Sequence, residues 1–210
     1  MRMLLFLESD NIMVNPEAYF DCLALCTRLQ SRLDEPPSEL EIHLFSYLSC
    51  LLWLYKGKPV ATWGYTFAVT QQAFPFSPEI HENIGILAYQ GMLLGKEHFY
   101  FQTTEHGNKE YEVLRSLSTM SEREPYLDGA CSCLLALPIN QLRDAILQEP
   151  SIKPAMELMQ SRNLLTEGDI DRLYEQFKAL SYAVGVQVDD LMIPAIVWIK
   201  YLSEVNKPHV

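Results

Sequence analysis

The sequence predicts a mainly α-helical protein with a small β hairpin: a winged helix-turn-helix followed by a helical C-terminal domain. Three observations carry that expectation. Helix start signals recur at Asn15-Pro16-Glu17, Ser38-Glu39, Ser77-Pro78-Glu79 and Thr166 with Asp169, each a capping side chain or an early Pro beside first-turn acid. One hairpin signature falls among them: Met92-Leu93-Leu94, the turn Gly95-Lys96-Glu97, then the apolar run at 98–102. Apolar residues make up 49% of the 210 and charged residues 20%, which fills a core and excludes global disorder.

Residues 3–7 are apolar and read as a short strand or extended arm. Asn15 caps a helix over 16–33 whose apolar face holds Tyr19, Leu23, Cys26 and Leu29. Two prolines in 34–38 end it. Ser38 caps a second, nearly all-apolar helix over 39–55, stopped at Gly57. Residues 59–62 are expected to be extended, and 63–73 are ambiguous between strand and short helix. Ser77 and Pro78 open a third helix that ends at Gly91. The hairpin follows, and Thr103 or Thr104 caps a helix through Leu117. Helix, short strand, helix, helix, hairpin, helix is the order of a winged helix, and Thr104-Glu105-His106-Gly107 is similar to the exit of many second wing strands.

The polar stretch 118–124 is expected to be a boundary, dividing the chain into an N-terminal arm and helix (1–37), a winged-helix domain (38–118) and a helical domain (119–210). Beyond it, helices are expected over 125–137, 139–148, 151–162, from Thr166 to about Ala183, and over 191–202. The centre of the last, around Trp198, is apolar all round, so it is buried either in the chain's own core or by a partner.

Composition narrows function. The net charge is -11, from 27 acidic and 16 basic side chains, and such a surface repels a phosphate backbone. Within 77–102, Lys96 faces Glu79, Glu82 and Glu97, a poor composition for a helix in the major groove. The five cysteines lie in apolar, helix-like contexts without histidines at metal-ligand spacing, which suits reduced, buried thiols. Gly91 to Glu97 has the wrong spacing for a phosphate-binding loop and Glu where Ser or Thr belongs. There is no His-Glu-x-x-His, and Ser132 has no nearby base. The expectation is therefore a protein without catalytic residues, cofactor or metal, cytoplasmic, with no membrane span and no secretory leader. Aromatics at 63–76 and 99–101 exceed what a small core usually takes, and aromatics serve as interface anchors. Phe76, Glu79, Glu82, Phe99, Phe101 and Trp198 are the candidate partner-contact residues.

Several stretches carry a resemblance: Leu44-Phe45-Ser46-Tyr47-Leu48, Leu51-Leu52-Trp53-Leu54-Tyr55, Lys58-Pro59-Val60, Trp63-Gly64-Tyr65, Pro75-Phe76-Ser77-Pro78, residues 126–132, Leu135-Ala136-Leu137-Pro138, Glu149-Pro150 and residues 194–198. Together the chain resembles the small middle component of bacterial ABC-three-component systems, the group that includes the Lamassu anti-phage complexes. More broadly it is similar to winged-helix proteins of the SocA (Panacea-like) antitoxin kind. The first resemblance implies an adaptor between an SMC-like ATPase and an effector nuclease, meeting DNA only through the complex. The alternatives are a winged-helix DNA-binding transcriptional regulator and an antitoxin-like partner of a toxin.

Overall fold

A computed structural model describes residues 14–70, 74–96, 99–185 and 190–205. The expected arm at 3–7 lies outside them. The described chain is mainly helical, with small antiparallel sheets.

Helix α1 spans Pro16–Leu29, with the Asn15 side chain accepting from the Ala18 amide at 2.8 Å. It ends one turn before the expected 33, because the chain tightens into turns ahead of Pro36 and Pro37. Helix α2, Glu39–Tyr55, opens on a reciprocal capping box between Ser38 and Glu41. Every residue from Glu41 to Leu54 is buried, so α2 is the central rod of the fold rather than a surface helix with one apolar stripe. Gly57, at φ +75°, turns the chain back. Residues Val60–Thr62 form a 3-10 turn instead of the expected extended segment, with Thr62 Oγ1 donating to Pro59 O at 2.7 Å.

Strand β1 is Ala68–Val69 and β2 is Pro75–Phe76. Helix α3, Pro78–Tyr89, starts on the Ser77 cap. Strands β3 (Leu93–Lys96) and β4 (Tyr100–Thr103) make the expected hairpin, pairing Leu93 with Thr103 and Lys96 with Tyr100. Thr104 then caps α4, Glu105–Arg115. Only glycine fits at 107: a Cβ there would sit 2.3 Å from the Met92 carbonyl oxygen.

The boundary expected at 118–124 does not separate two cores. Residues Ser118–Ser121 are a short helix, α5, and α6 (Glu124–Ser132) follows at once. Helix α6 packs along α2 and α1, and one contiguous apolar cluster runs from Ala18 to Leu202. The helix expected over 125–137 passes into a 3-10 turn at Cys133–Leu135 ahead of Pro138. Helix α7 is Ile139–Ile146. The helix expected over 151–162 shrinks to α8, Lys153–Glu157. The chain instead turns at Met159 and sends Arg162–Asn163, β5, against β1. The small sheet therefore has the order β2-β1-β5, a long-range pairing that no local pattern in 151–162 announces. Helix α9, Glu167–Val184, has the expected capping box between Thr166 and Asp169. Helix α10, Met192–Val205, packs on α7, α9 and α6.

One buried ion pair crosses the fold. Asp21 of α1 is wholly buried and Arg123, at the head of α6, is 3% exposed. The guanidinium holds the carboxylate in a fork, Nε to Oδ1 at 2.8 Å and Nη2 to Oδ2 at 2.5 Å. Its third nitrogen donates to the Trp63 carbonyl at 2.7 Å, and the guanidinium carbon lies 3.8 Å from the centre of the Trp63 ring. Tyr65 Oη donates to Asp21 at 2.6 Å and is itself 2.6 Å from Ser46 Oγ on α2. Removing one charge strands the other in a dry site, which costs about 3–5 kcal/mol. Asp21→Asn or Arg123→Met is expected to lower unfolding stability by that amount in urea titrations. The pair Asp21→Leu with Arg123→Met is expected to recover most of it. A loss below about 1 kcal/mol in either single variant would show that the pair does not anchor the fold.

Candidate functional site

The elements that carry five of the six candidate contact residues, β2, α3 and the β3–β4 hairpin, all touch the start of α2. On one side, Glu39 in the first turn of α2 meets α3: its Oε1 is 2.5 Å from Nδ1 of the exposed His81 and 3.6 Å from Nε2 of the buried His43. The Phe76 ring, half-buried on β2, lies 4.8 Å from the His43 ring and 5.9 Å from that of His81. On the other side the hairpin leans on the same segment. The Phe101 amide donates to Pro37 O at 2.9 Å, and Ser38 bridges Tyr100.

The two acids of α3 differ. Glu79 is tied into its own helix start: it accepts from Ser77 Oγ at 2.9 Å and from Thr66 Oγ1 at 3.3 Å. Its first duty is to hold the turn before α3. Glu82 is exposed on the outer face of the helix. Phe101 is half-buried, and its ring covers Gly95 across the hairpin.

Phe99 is the outlier. It is 72% exposed and sits at φ +63°, a left-handed conformation that a bulky residue adopts at a cost of about 1–3 kcal/mol. Leu94 (54% exposed) lies on the facing strand, and Leu40 (51% exposed) lies on the first turn of α2. Leu40 and Leu94 were not singled out from the sequence. The signal for Leu40 is its position two residues after the Ser38 cap, on the side of α2 opposite Phe45.

Trp198 does not belong to this face. It is 3% exposed, packs edge-on against Phe177 at 5.7 Å, and donates through Nε1 to Gln176 at 3.2 Å. The apolar centre of α10 is thus divided: Ala195, Trp198, Ile199 and Leu202 enter the chain's own core, and Ile193, Val197 and Tyr201 stay on the surface. Most of the surplus aromatics are likewise internal. Trp63, Tyr65 and Phe67 are buried in successive edge-to-face and tilted contacts, as fits residues wrapped around the Asp21–Arg123 pair.

The histidine cluster ties the first turn of α2 to the start of α3. His43 Nδ1 accepts the Ser77 amide at 3.2 Å, so the neutral ring carries its proton on Nε2, pointing at Glu39. A metal at Nε2 would need that proton removed from a ring already accepting at Nδ1. Among the described residues no group of three or more His, Cys, Asp or Glu side chains is placed to hold a metal ion. Burial depresses the His43 pKa against the opposing pull of Glu39. The His43 contact, outweighing burial and helped by His81, holds the Glu39 carboxyl below the ordinary carboxylate value. All five cysteines are free and buried, and burial pushes the Cys131 and Cys133 thiols up to about 12. They are inert as nucleophiles near neutrality.

No helix among the described residues is long and apolar enough to cross a membrane. Comparison of the chain with protein-family models, with curated proteins and with solved structures finds no match.

Two outcomes follow from this geometry. A His43 pKa below the unfolded value keeps the folded ring neutral while the unfolded ring takes a proton. The ring's contribution is therefore complete above the ordinary histidine value and is lost as pH falls through the folded one. NMR titration is expected to place the His43 midpoint below that of an unstructured histidine; a midpoint at or above it would contradict the buried neutral ring. Phe99→Gly removes the conformational penalty of a Cβ at φ +63°. It is expected to leave unfolding stability unchanged or raise it by up to about 1 kcal/mol, read by thermal unfolding.

Proposed function

We propose that the protein is a non-catalytic adaptor that docks other proteins on the face around 37–40, with Phe99 as the apolar centre and the exposed Leu94 and Leu40 on the hairpin and helix beside it. We assign the exposed His81 and Glu82 of the adjoining α3 to its rim. The observation that carries this reading is Phe99. A large apolar side chain is held out in solvent in a backbone conformation that disfavours it, and neither folding nor solubility explains such an arrangement. An apolar centre with a polar rim is the usual layout of a docking surface, and aromatic anchors carry much of the binding energy. The acid of α3 favours a partner with basic groups around an apolar pocket.

On the family resemblance, the partners are an SMC-like ATPase and an effector nuclease of a cytoplasmic ABC-three-component defence complex, with DNA reached only through that complex. We read α2, α3, the β3–β4 hairpin and α4 as the winged-helix arrangement, with the hairpin as the wing. What supports it is the order of elements and the Thr104-capped exit, whose hydroxyl donates to the Gly91 carbonyl at 2.8 Å. In the DNA-regulator alternative α3 would enter the groove with Pro78 and Glu79 foremost and Glu82 on its outer face, which phosphate repulsion opposes. The antitoxin alternative uses the same face and differs in the partner.

The test is co-expression with the genes that neighbour this one, followed by affinity capture of this chain at moderate salt. A large coiled-coil ATPase is expected to co-elute, and Phe99→Asp is expected to reduce its recovery at least tenfold with thermal stability unchanged. A lone monomer that ignores its neighbours would end the adaptor reading. Capture of one small toxin would replace it with the antitoxin reading.

A further inference from the structure

A second site lies away from the contact face, between α2 and the segment that follows α7. Glu149 is wholly buried. Its Oε2 accepts the amides of Ser151 at 2.9 Å and Ile152 at 3.1 Å, capping the turn into α8. Its Oε1 is buried without a hydrogen-bond partner, and so is the hydroxyl of Tyr47 on α2. The two groups are neighbours: after burial itself, Glu149 is the strongest influence on the Tyr47 hydroxyl. Two orphaned oxygens buried in a dry core are costly, and an acid proton on one of them relieves that cost by letting it donate to the other.

The charges around the pair sharpen the point. Asp169, at the third position of α9, faces it from the far end of the same segment. That carboxylate is matched by the guanidiniums of Arg162 at 2.5 Å and Arg172 at 2.6 Å and by the Thr166 hydroxyl at 2.9 Å. Cys50, on α2 beside Tyr47, is a neutral buried thiol. Lys153, on α8, is half-buried and has contacts of its own. Segment 149–169 is therefore tied down by two buried carboxylates, Asp169 with two guanidiniums on it and Glu149 with backbone amides. Between the two ties the segment exposes Leu158 and Met159 at a tight turn. It then lays β5 along β1, with the Leu164 amide donating to Phe67 O at 2.8 Å.

We propose that Glu149 is a protonation latch: as a neutral acid it donates its proton to the Tyr47 hydroxyl and holds segment 149–165 on α2, and loss of that proton to solvent loosens the segment from the β1 edge. Burial raises the Glu149 carboxyl to about 7, against the pull of the Ser151 and Ile152 amides. A carboxyl raised in the folded state stabilises below its unfolded value and loses that contribution as pH rises through the folded value. The working window is therefore between about pH 5 and pH 7. His43 acts in the opposite sense over part of that window, so a global melting curve blends the two, and the latch must be read locally.

Hydrogen–deuterium exchange of the full chain, corrected for the intrinsic pH dependence of amide exchange, provides that reading. Opening of 149–165 is expected to rise nearly tenfold per pH unit from about 5 to 7 and to level off above 7. In Glu149→Gln, whose amide caps and donates at every pH, opening of the segment is expected to be flat. A flat wild-type profile, or the same slope in Glu149→Gln, overturns the latch. Tyr47→Phe removes the acceptor of the shared proton while keeping the ring, and reports even if the first variant does not fold. The levelling-off point is expected to move to lower pH. A move to higher pH would mean that Tyr47 donates to an ionised Glu149, and the proposal would fail.

Discussion

The Asp21–Arg123 pair is the constraint on which the arrangement of helices depends. A charged fork with no access to water must find every partner inside the protein, because an unmatched charge there costs more than any single apolar contact returns. Its geometry names those partners: α1 through Asp21, the Trp63–Tyr65 loop through a carbonyl and a hydroxyl, α2 through Ser46, and the head of α6 through Arg123 itself. Four segments far apart in sequence are thereby brought into one register. The aromatics of the loop then cover the pair. Trp53 on α2 extends the cover to Tyr126 on α6 at 5.0 Å, with the Lys58 ammonium 4.1 Å from the centre of its ring. The stretch 118–124, which reads as a polar linker, is for this reason committed to the core through Arg123.

That commitment bears on the proposed docking face. With α1, α2 and α6 locked around the pair, the first turn of α2 is a fixed platform. Both the α3 cap and the hairpin are fastened to it, by Glu39 and His81 on one side and by Pro37, Ser38 and Tyr100 on the other. Phe99 is carried on that platform. A rigid base limits the entropy lost when an exposed aromatic is captured, which is what an anchor residue needs. The latch at Glu149 sits farther along α2, near Tyr47, where a carboxyl has amides but no cation fork. The contrast between Asp21 and Glu149 is physical: both are wholly buried, but Asp21 meets a guanidinium fork, whereas Glu149 meets backbone amides and no cation.

The local chemistry of this chain was legible in its sequence. Side-chain caps at Asn15, Ser38, Ser77 and Thr166 and the hairpin around Gly95 depend on neighbours within four residues or on one short turn, so residue order alone determined them. Exposure at Glu82 was also within reach, since it follows the first-turn Pro78-Glu79 pair on a polar helix face, whereas Phe99 sits in an apolar run and its exposure was not written there. Tertiary structure decided what depends on distant partners. Residues 151–162 have the composition of a helix, but pairing with β1 pulled Arg162 and Asn163 into a strand. Trp198 has the composition of an interface anchor, but Phe177 and Gln176 enclosed it. Arg123 looks like any linker arginine until Asp21, about a hundred positions earlier, is set beside it. Caps and turns are written in short-range hydrogen bonds, whereas burial and charge pairing are settled by which surfaces meet, and a linear pattern does not record that.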